Sequence, residues 1–203
     1  MQFSPRWNRV FGLGRLLVAR ACGSVTYNAT KIRWIPKPLG FPSVARKDIS
    51  MTDGEVLAFL SDGRKTLQVA SNDPDGYPHL APMWFVVEDG KIVFRSFSKS
   101  QKILNLERDP KVTVLVEEGN DYSELQGVMI KGNAKLVNDA DYCLDLYVAL
   151  ASRYPYFPGV EPGTTPEPEV RQFFAGHAAK QTAVIVEPVE IASWDYRKLG
   201  GGY

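Results

Sequence analysis

The run Arg95-Ser96-Phe97-Ser98-Lys99-Ser100-Gln101-Lys102 concentrates cations and hydroxyls in one short stretch. It lies between an alternating, strand-like segment and a helical run that reaches about Arg108. Ser98-x-x-Gln101 has the spacing of a helix N-cap, which leaves the first-turn N–H groups without intrahelical partners. Those donors, the positive end of the helix dipole, Lys99 and Lys102 together suit an anion, and phosphate is the commonest biological one. A solvated basic turn closed by an ordinary serine cap uses the same residues, and spacing alone does not separate the two. His79 is a candidate proton donor because imidazole titrates near neutrality; it is equally a turn-adjacent surface histidine. His177, Tyr122, Tyr154 and Tyr156 are weaker candidates of the same kind, and no catalytic acid is assigned. Two cysteines, Cys22 and Cys143, and two histidines make neither a disulfide framework nor a zinc site, so no metal is expected.

These residues need elements to position them, and from Met51 onward the pattern supplies them. Thr52-Asp53-Gly54-Glu55 has the spacing of a capping box, followed by apolar Val56, Leu57, Phe59 and Leu60 on a short helix. Lys65–Ser71 alternates as a strand, and Asn72–Gly76 reads as a turn. His79–Val87 is expected as one strand, Glu88-Asp89-Gly90 as a tight hairpin, and Lys91–Phe97 as the next strand, with Ile92, Phe94 and Ser96 on one face. Lys111–Val116 and Val128–Val137 are further strands, Gly132 marking a bulge or close backbone approach. Helices are expected over Asp139–Tyr154 and around Val170–Gly176, separated by the proline-rich loop Pro155–Pro168. Thr182–Val186 is a strand, and Pro188 opens a last one to Trp194. About six antiparallel strands with short helices between them imply an α+β barrel.

Composition bounds the function. A hydrophobic fraction of 44% and a charged fraction of 23% fit a globular chain. The net charge of +1 gives no overall reason to expect a nucleic-acid or membrane partner, and no run approaches the roughly 20 apolar residues of a membrane helix. No Gly-rich loop joins a strand to a long helix, which removes dinucleotide-fold and P-loop readings. The total hides an asymmetry: residues 1–50 carry nine Lys/Arg against one acid, and residues 51–203 carry fifteen against twenty-two. Residues 1–50 are therefore set apart as a basic extension, read as a targeting peptide, an arm for an anionic surface, or a segment upstream of a natural start at Met51. The cytoplasm is the expected compartment.

Ile92-Val93-Phe94-x-Ser96-x-x-x-Ser100-x-Lys102-x-x-x-Leu106-x-x-Asp109-Pro110-x-Val112 resembles the signature of the pyridoxamine-phosphate-oxidase-like split β-barrel oxidoreductases. Gly76-x-Pro78-His79-Leu80-Ala81-Pro82-Met83-Trp84-Phe85 is similar to the strand on which that family lays its isoalloxazine-type ring. Ser193-Trp194-Asp195-Tyr196-Arg197-Lys198-Leu199 resembles endings of the actinobacterial flavin/deazaflavin branch. The resemblance spans residues 51–203 and implies a split β-barrel cofactor domain there, paired as a homodimer with cofactor sites at the interface. Trp84, Phe85 and Phe97 are candidates for that contact.

By the same resemblance Lys102 meets the cofactor phosphate, with Ser96, Ser100, Gln101 and Lys99 beside it. Pro82, Met83 and Trp84 line the ring, and Asn105 faces the site. True pyridoxamine-phosphate oxidases have an Arg-Lys pair where this chain has Gln101-Lys102, and cations at the positions of Leu80 and Phe85. Those losses argue against the B6 substrate. The deazaflavin coenzyme F420 is the preferred cofactor, its acidic tail suiting Lys99 and Lys102 with Arg95 or with the partner's Arg197 or the partner's Lys198, and FMN is the alternative. The implied reaction is hydride transfer to a small unsaturated or quinone-like acceptor. A flavin carrier without turnover, or a haem-binding barrel, is the alternative of another class.

Overall fold

The computed structural model describes residues 49–200. The basic extension, apart from its last two residues, lies outside them, as does Cys22.

Helix α1 (Asp53–Ser61) starts as its sequence dictates. The Thr52 hydroxyl accepts from the Glu55 N–H, and the Glu55 carboxylate accepts from the Thr52 N–H at 2.7 Å. Strands β1 (Leu67–Asn72), β2 (Pro78–Met83), β3 (Val86–Glu88), β4 (Lys91–Phe97), β5 (Lys111–Glu118), β6 (Gln126–Val137) and β7 (Gln181–Asp195) form one antiparallel sheet in the order β2-β1-β5-β6-β7-β4-β3. Helix α2 (Gln101–Arg108) follows β4, α3 (Ala140–Arg153) follows β6, and α4 (Glu167–Ala178) precedes β7.

The strand expected over His79–Val87 is thus two strands on opposite edges of the sheet. Met83, Phe85 and Val87 all pack into one core, so the inward period of two runs on unbroken. What changes is the hydrogen-bonding partner, from β1 to β4. Only Trp84 and Phe85 separate the two edges, so the sheet must curl until they nearly meet. That curl is the split barrel.

Two strands expected in the last segment are instead one. Gly132 faces Pro188 where the β6–β7 register shifts, and a Cβ at Gly132 would overlap the Glu187 carbonyl oxygen. The bulge absorbs the missing Pro188 N–H, which lets the strand continue through proline. The β3–β4 hairpin turns on Asp89 and Gly90 at φ 49° and 75°, the left-handed pair that a two-residue loop requires.

Inside the barrel Leu67, Val69, Phe94, Val114, Val116 and Val184 pack around Ile103 and Leu106 of α2, which plugs one end. On the other side of β4 and β7, Val93 and Ala183 pack against Cys143, Leu146 and Leu150 of α3. β4 is therefore buried on both faces, and successive residues of its C-terminal half address two different compartments.

Candidate functional site

The structure brings Ser96, Ser100 and Lys102 together. Ser96 continues the inward face of Ile92 and Phe94 and is buried. Its hydroxyl lies 3.0 Å from the Ser100 hydroxyl and accepts from the Lys102 ammonium at 3.2 Å. Ser100, not Ser98, is the N-cap of α2, and its side chain makes no cap hydrogen bond because it turns to Ser96. The expected Ser98 cap is corrected for a simple reason: Ser98 is engaged across the sheet, with the Lys180 carbonyl and the Thr182 hydroxyl.

The N–H groups of Gln101 and Lys102, at the first helical positions, have no intrahelical acceptor. Lys102 is half-buried and forms no ion pair among the described residues; burial lowers its pKa from the ordinary lysine value. A desolvated ammonium, two hydroxyls and open helix donors, with no carboxylate to answer them, make a donor set matched to an anion. Lys99 is exposed and stands outside this cluster.

Gln101 and Asn105 do different work. The Gln101 amide donates to the Asn105 side chain at 2.9 Å. Asn105 is fully buried and donates to the Ser71 hydroxyl at 3.2 Å and the Asp73 carboxylate at 2.7 Å. It therefore ties α2 to the β1–β2 corner, with its amide consumed within the chain. Asp109 completes this corner by accepting from Asn72 at 2.9 Å, which, with the Lys111 N–H, holds its carboxyl below the usual range.

Pro82, Met83 and Trp84 line a cleft of about 370 Å³ together with Thr66, Arg95, Leu150 and Tyr156. The strand motif points to the first three, and the sequence offers Arg95 as a cation for an acidic tail and Tyr156 as a weaker proton-donor candidate; Thr66 and Leu150 carry no functional signal, and only the fold brings them near. Trp84 stacks on Tyr154 at a centroid distance of 4.8 Å and meets the edge of Tyr156 at 5.0 Å. The Tyr154 hydroxyl is tied to the Lys65 carbonyl at 2.8 Å and is structural, whereas Tyr156 faces the cleft. The cleft does not include Ser96, Ser100 or Lys102, because Arg95 and Ser96 point to opposite sides of β4.

The remaining candidates sit elsewhere. His79 is half-buried on the inward side of β2, opposite Ser71, and its side chain makes no hydrogen bond among the described residues. His177 lies on α4 against Phe173 and Phe174, and Tyr122 packs edge-on to Tyr196. Cys143 is buried, and burial raises its thiol pKa, so it is no nucleophile. No cluster of metal-ligating residues occurs among the described residues. Arg197 is held by Asp195 at 2.8 Å, and Lys198 by Glu55 at 2.8 Å, so both tail-binding candidates are paired within their own chain.

Residues 52–186 match the model of the pyridoxamine 5'-phosphate oxidase family. The chain belongs to that family. The conserved hypothetical protein Rv2991 from Mycobacterium tuberculosis is 35% identical over 77% of this chain and 92% of its own, with a TM-score of 0.66. A structure named F420 reductase shares the fold at 22% identity, covering 66% of this chain and 93% of that one with a TM-score of 0.50. A FAD-binding protein from Mesorhizobium loti does so at 17% identity, covering 71% and 94%, with a TM-score of 0.52. No curated protein matches the sequence. Among the described residues no helix is long and apolar enough to cross a membrane. Within the family the departures at two positions are now physical: Leu80 is exposed and Phe85 is wholly buried in the barrel core, so neither offers a charge.

Proposed function

We propose that the protein is an oxidoreductase that uses the deazaflavin coenzyme F420 and reduces a small unsaturated or quinone-like acceptor. The observation that carries this reading is the Ser96–Ser100–Lys102 cluster at the open start of α2, a cationic donor set with no anion of its own. Its residues would hold a phosphate: Lys102 by charge, the two hydroxyls and the Gln101 and Lys102 N–H groups by hydrogen bonds. Lys99, exposed beside the cluster, is placed for an acidic tail. Pro82, Met83 and Trp84 would orient a flat ring and exclude water from one side. Gln101 and Asn105 act as positioning residues, fixing α2 against the β1–β2 corner. When bound in its reduced form, the coenzyme would supply the hydride, which carries both electrons, and one proton from solvent would complete the reduction of the acceptor. The absence of cations at Leu80 and Phe85 argues against a pyridoxamine-phosphate substrate.

A homodimer is part of the proposal. On the outward side of β2, β1, β5 and β6, Leu80 is 64% exposed and pairs with half-buried Ala70, and the neighbouring row carries half-buried Leu115 and Met129, in register with each other. An isologous pair buries this face twice over and brings a second chain to each site. The test is turnover: reduced F420 mixed with menadione and catalytic protein should be oxidised at a rate proportional to protein. Binding without turnover would make the protein a carrier, and a haem spectrum with no flavin binding would replace the reading altogether.

A further inference from the structure

Among the described residues Arg95 is a cation without an anion. Its guanidinium lies 3.6 Å from the Tyr147 ring centroid and donates to the Gln181 side-chain oxygen at 3.1 Å and to the Tyr156 hydroxyl. All of these partners are neutral, since burial pushes the Tyr156 phenol pKa up even though Arg95 opposes the shift. The Arg95 Nε is enclosed and has no partner among the described residues. Other basic groups of the fold are answered differently. Arg171 meets Asp145 and Glu167 at 2.6 and 2.7 Å, and buried Lys65 meets Glu118 at 3.2 Å. Arg153 is spread over the carbonyls of Leu60, Asp62, Gly63 and Phe85.

Holding a half-buried guanidinium among neutral groups is costly unless a charge arrives to meet it. The cation–π contact with Tyr147 offsets part of that cost and still leaves the charge without a counter-ion among the described residues. Arg95 is also the one charged member of the cleft lining, whose other walls are Thr66, Pro82, Met83, Trp84, Leu150 and Tyr156. Of five guanidinium N–H groups two are engaged, which leaves one on each terminal nitrogen in a common plane. A planar fork of that kind can grip a carboxylate through two parallel hydrogen bonds. The phosphate cradle, moreover, belongs to the other face of β4.

We propose that the Arg95 and Tyr156 side of this cleft, away from the Pro82–Trp84 wall given to the coenzyme ring, is the acceptor subsite and that Arg95 recognises a carboxylate, so that the substrates are flat α,β-unsaturated or aromatic carboxylic acids. The binding claim stands on the apo geometry; only the word acceptor rests on the oxidoreductase reading. Tyr156 and Leu150 supply the apolar wall for the body of such a ligand.

The probes are trans-cinnamate and its neutral twin trans-cinnamamide, titrated calorimetrically into the full chain with and without bound F420. Wild type should bind the acid about tenfold or more tighter than the amide. Arg95→Gln should erase that preference by weakening the acid far more than the amide, while Arg95→Lys, which keeps the charge, should retain part of it. Circular dichroism checks the fold of both variants. Equal affinity of acid and amide for wild type, no binding of either, or a preference that survives Arg95→Gln would overturn the inference. F420 affinity, measured in the same samples, separates the two proposals. Cofactor binding without acid preference sinks this one alone, and acid preference without cofactor binding sinks only the reading of the cofactor.

Discussion

Replacing Lys102 by alanine tests the phosphate cradle where sequence, local structure and function converge. The ammonium is half-buried, 3.2 Å from the Ser96 hydroxyl, and forms no ion pair among the described residues, so its removal breaks no described salt bridge. What is lost is one charge-assisted contact to a bound phosphate, about 1.5–3 kcal/mol, or roughly ten- to a hundredfold in cofactor affinity. Thermal stability should hardly move, because the variant removes a desolvated cation and exposes little apolar surface. The assay is a fluorescence titration of F420 against wild type, Lys102→Ala and Lys99→Ala at two salt concentrations. Lys99 is exposed and outside the cluster, so its loss should cost less. Added salt should weaken binding to wild type more than to Lys102→Ala, which has already lost part of the screened attraction. Equal affinity of wild type and Lys102→Ala, both folded, would return the segment to a solvated basic turn.

Three further outcomes follow from the same structure. Burial lowers the Lys102 pKa in the free protein and a bound anion raises it again, so cofactor affinity should fall as pH rises, beginning below the ordinary lysine value of 10.5; Lys102→Ala should show no such fall. Gly132→Ala should destabilise the protein by about 1–3 kcal/mol, read as a lowered Tm, because its Cβ meets the Glu187 backbone and the bulge cannot give way. Leu80→Asp places a charge on the outward sheet face, and sedimentation should show it shifting a wild-type dimer toward monomer.

The parts of the fold legible in the sequence are those that local chemistry determines. The Thr52 and Glu55 capping box, the Asp89-Gly90 hairpin and the bulge at Gly132 each stand where residue type demanded them. The errors arose where partner choice is non-local. Met83, Phe85 and Val87 keep one inward period while the chain changes hydrogen-bonding neighbour, so no pattern in the residues marks the break. Pro188 reads as a strand start because its missing N–H is visible and the bulge that excuses it lies on another strand. Ser98 and Ser100 both have cap chemistry, and the choice between them was made by Thr182 and Ser96 through tertiary contacts. Ser96, Ser100 and Lys102 were found from a short motif and do assemble. Asn105 was assigned to the site, whereas its buried amide holds the β1–β2 corner. The aromatic setting of Arg95 was invisible, since Tyr147, Tyr156 and Gln181 reach it from three distant segments.

The most direct measurement is a paired titration of apo protein with F420 and with FMN, followed by fluorescence. The proposal requires saturable F420 binding at micromolar or lower concentration, weaker FMN binding, and a roughly ten- to hundredfold weakening of both on Lys102→Ala. Tight FMN binding with none for F420 would contradict the choice of coenzyme, and binding of neither would contradict the reading of the Ser96–Ser100–Lys102 cluster as a cofactor phosphate site.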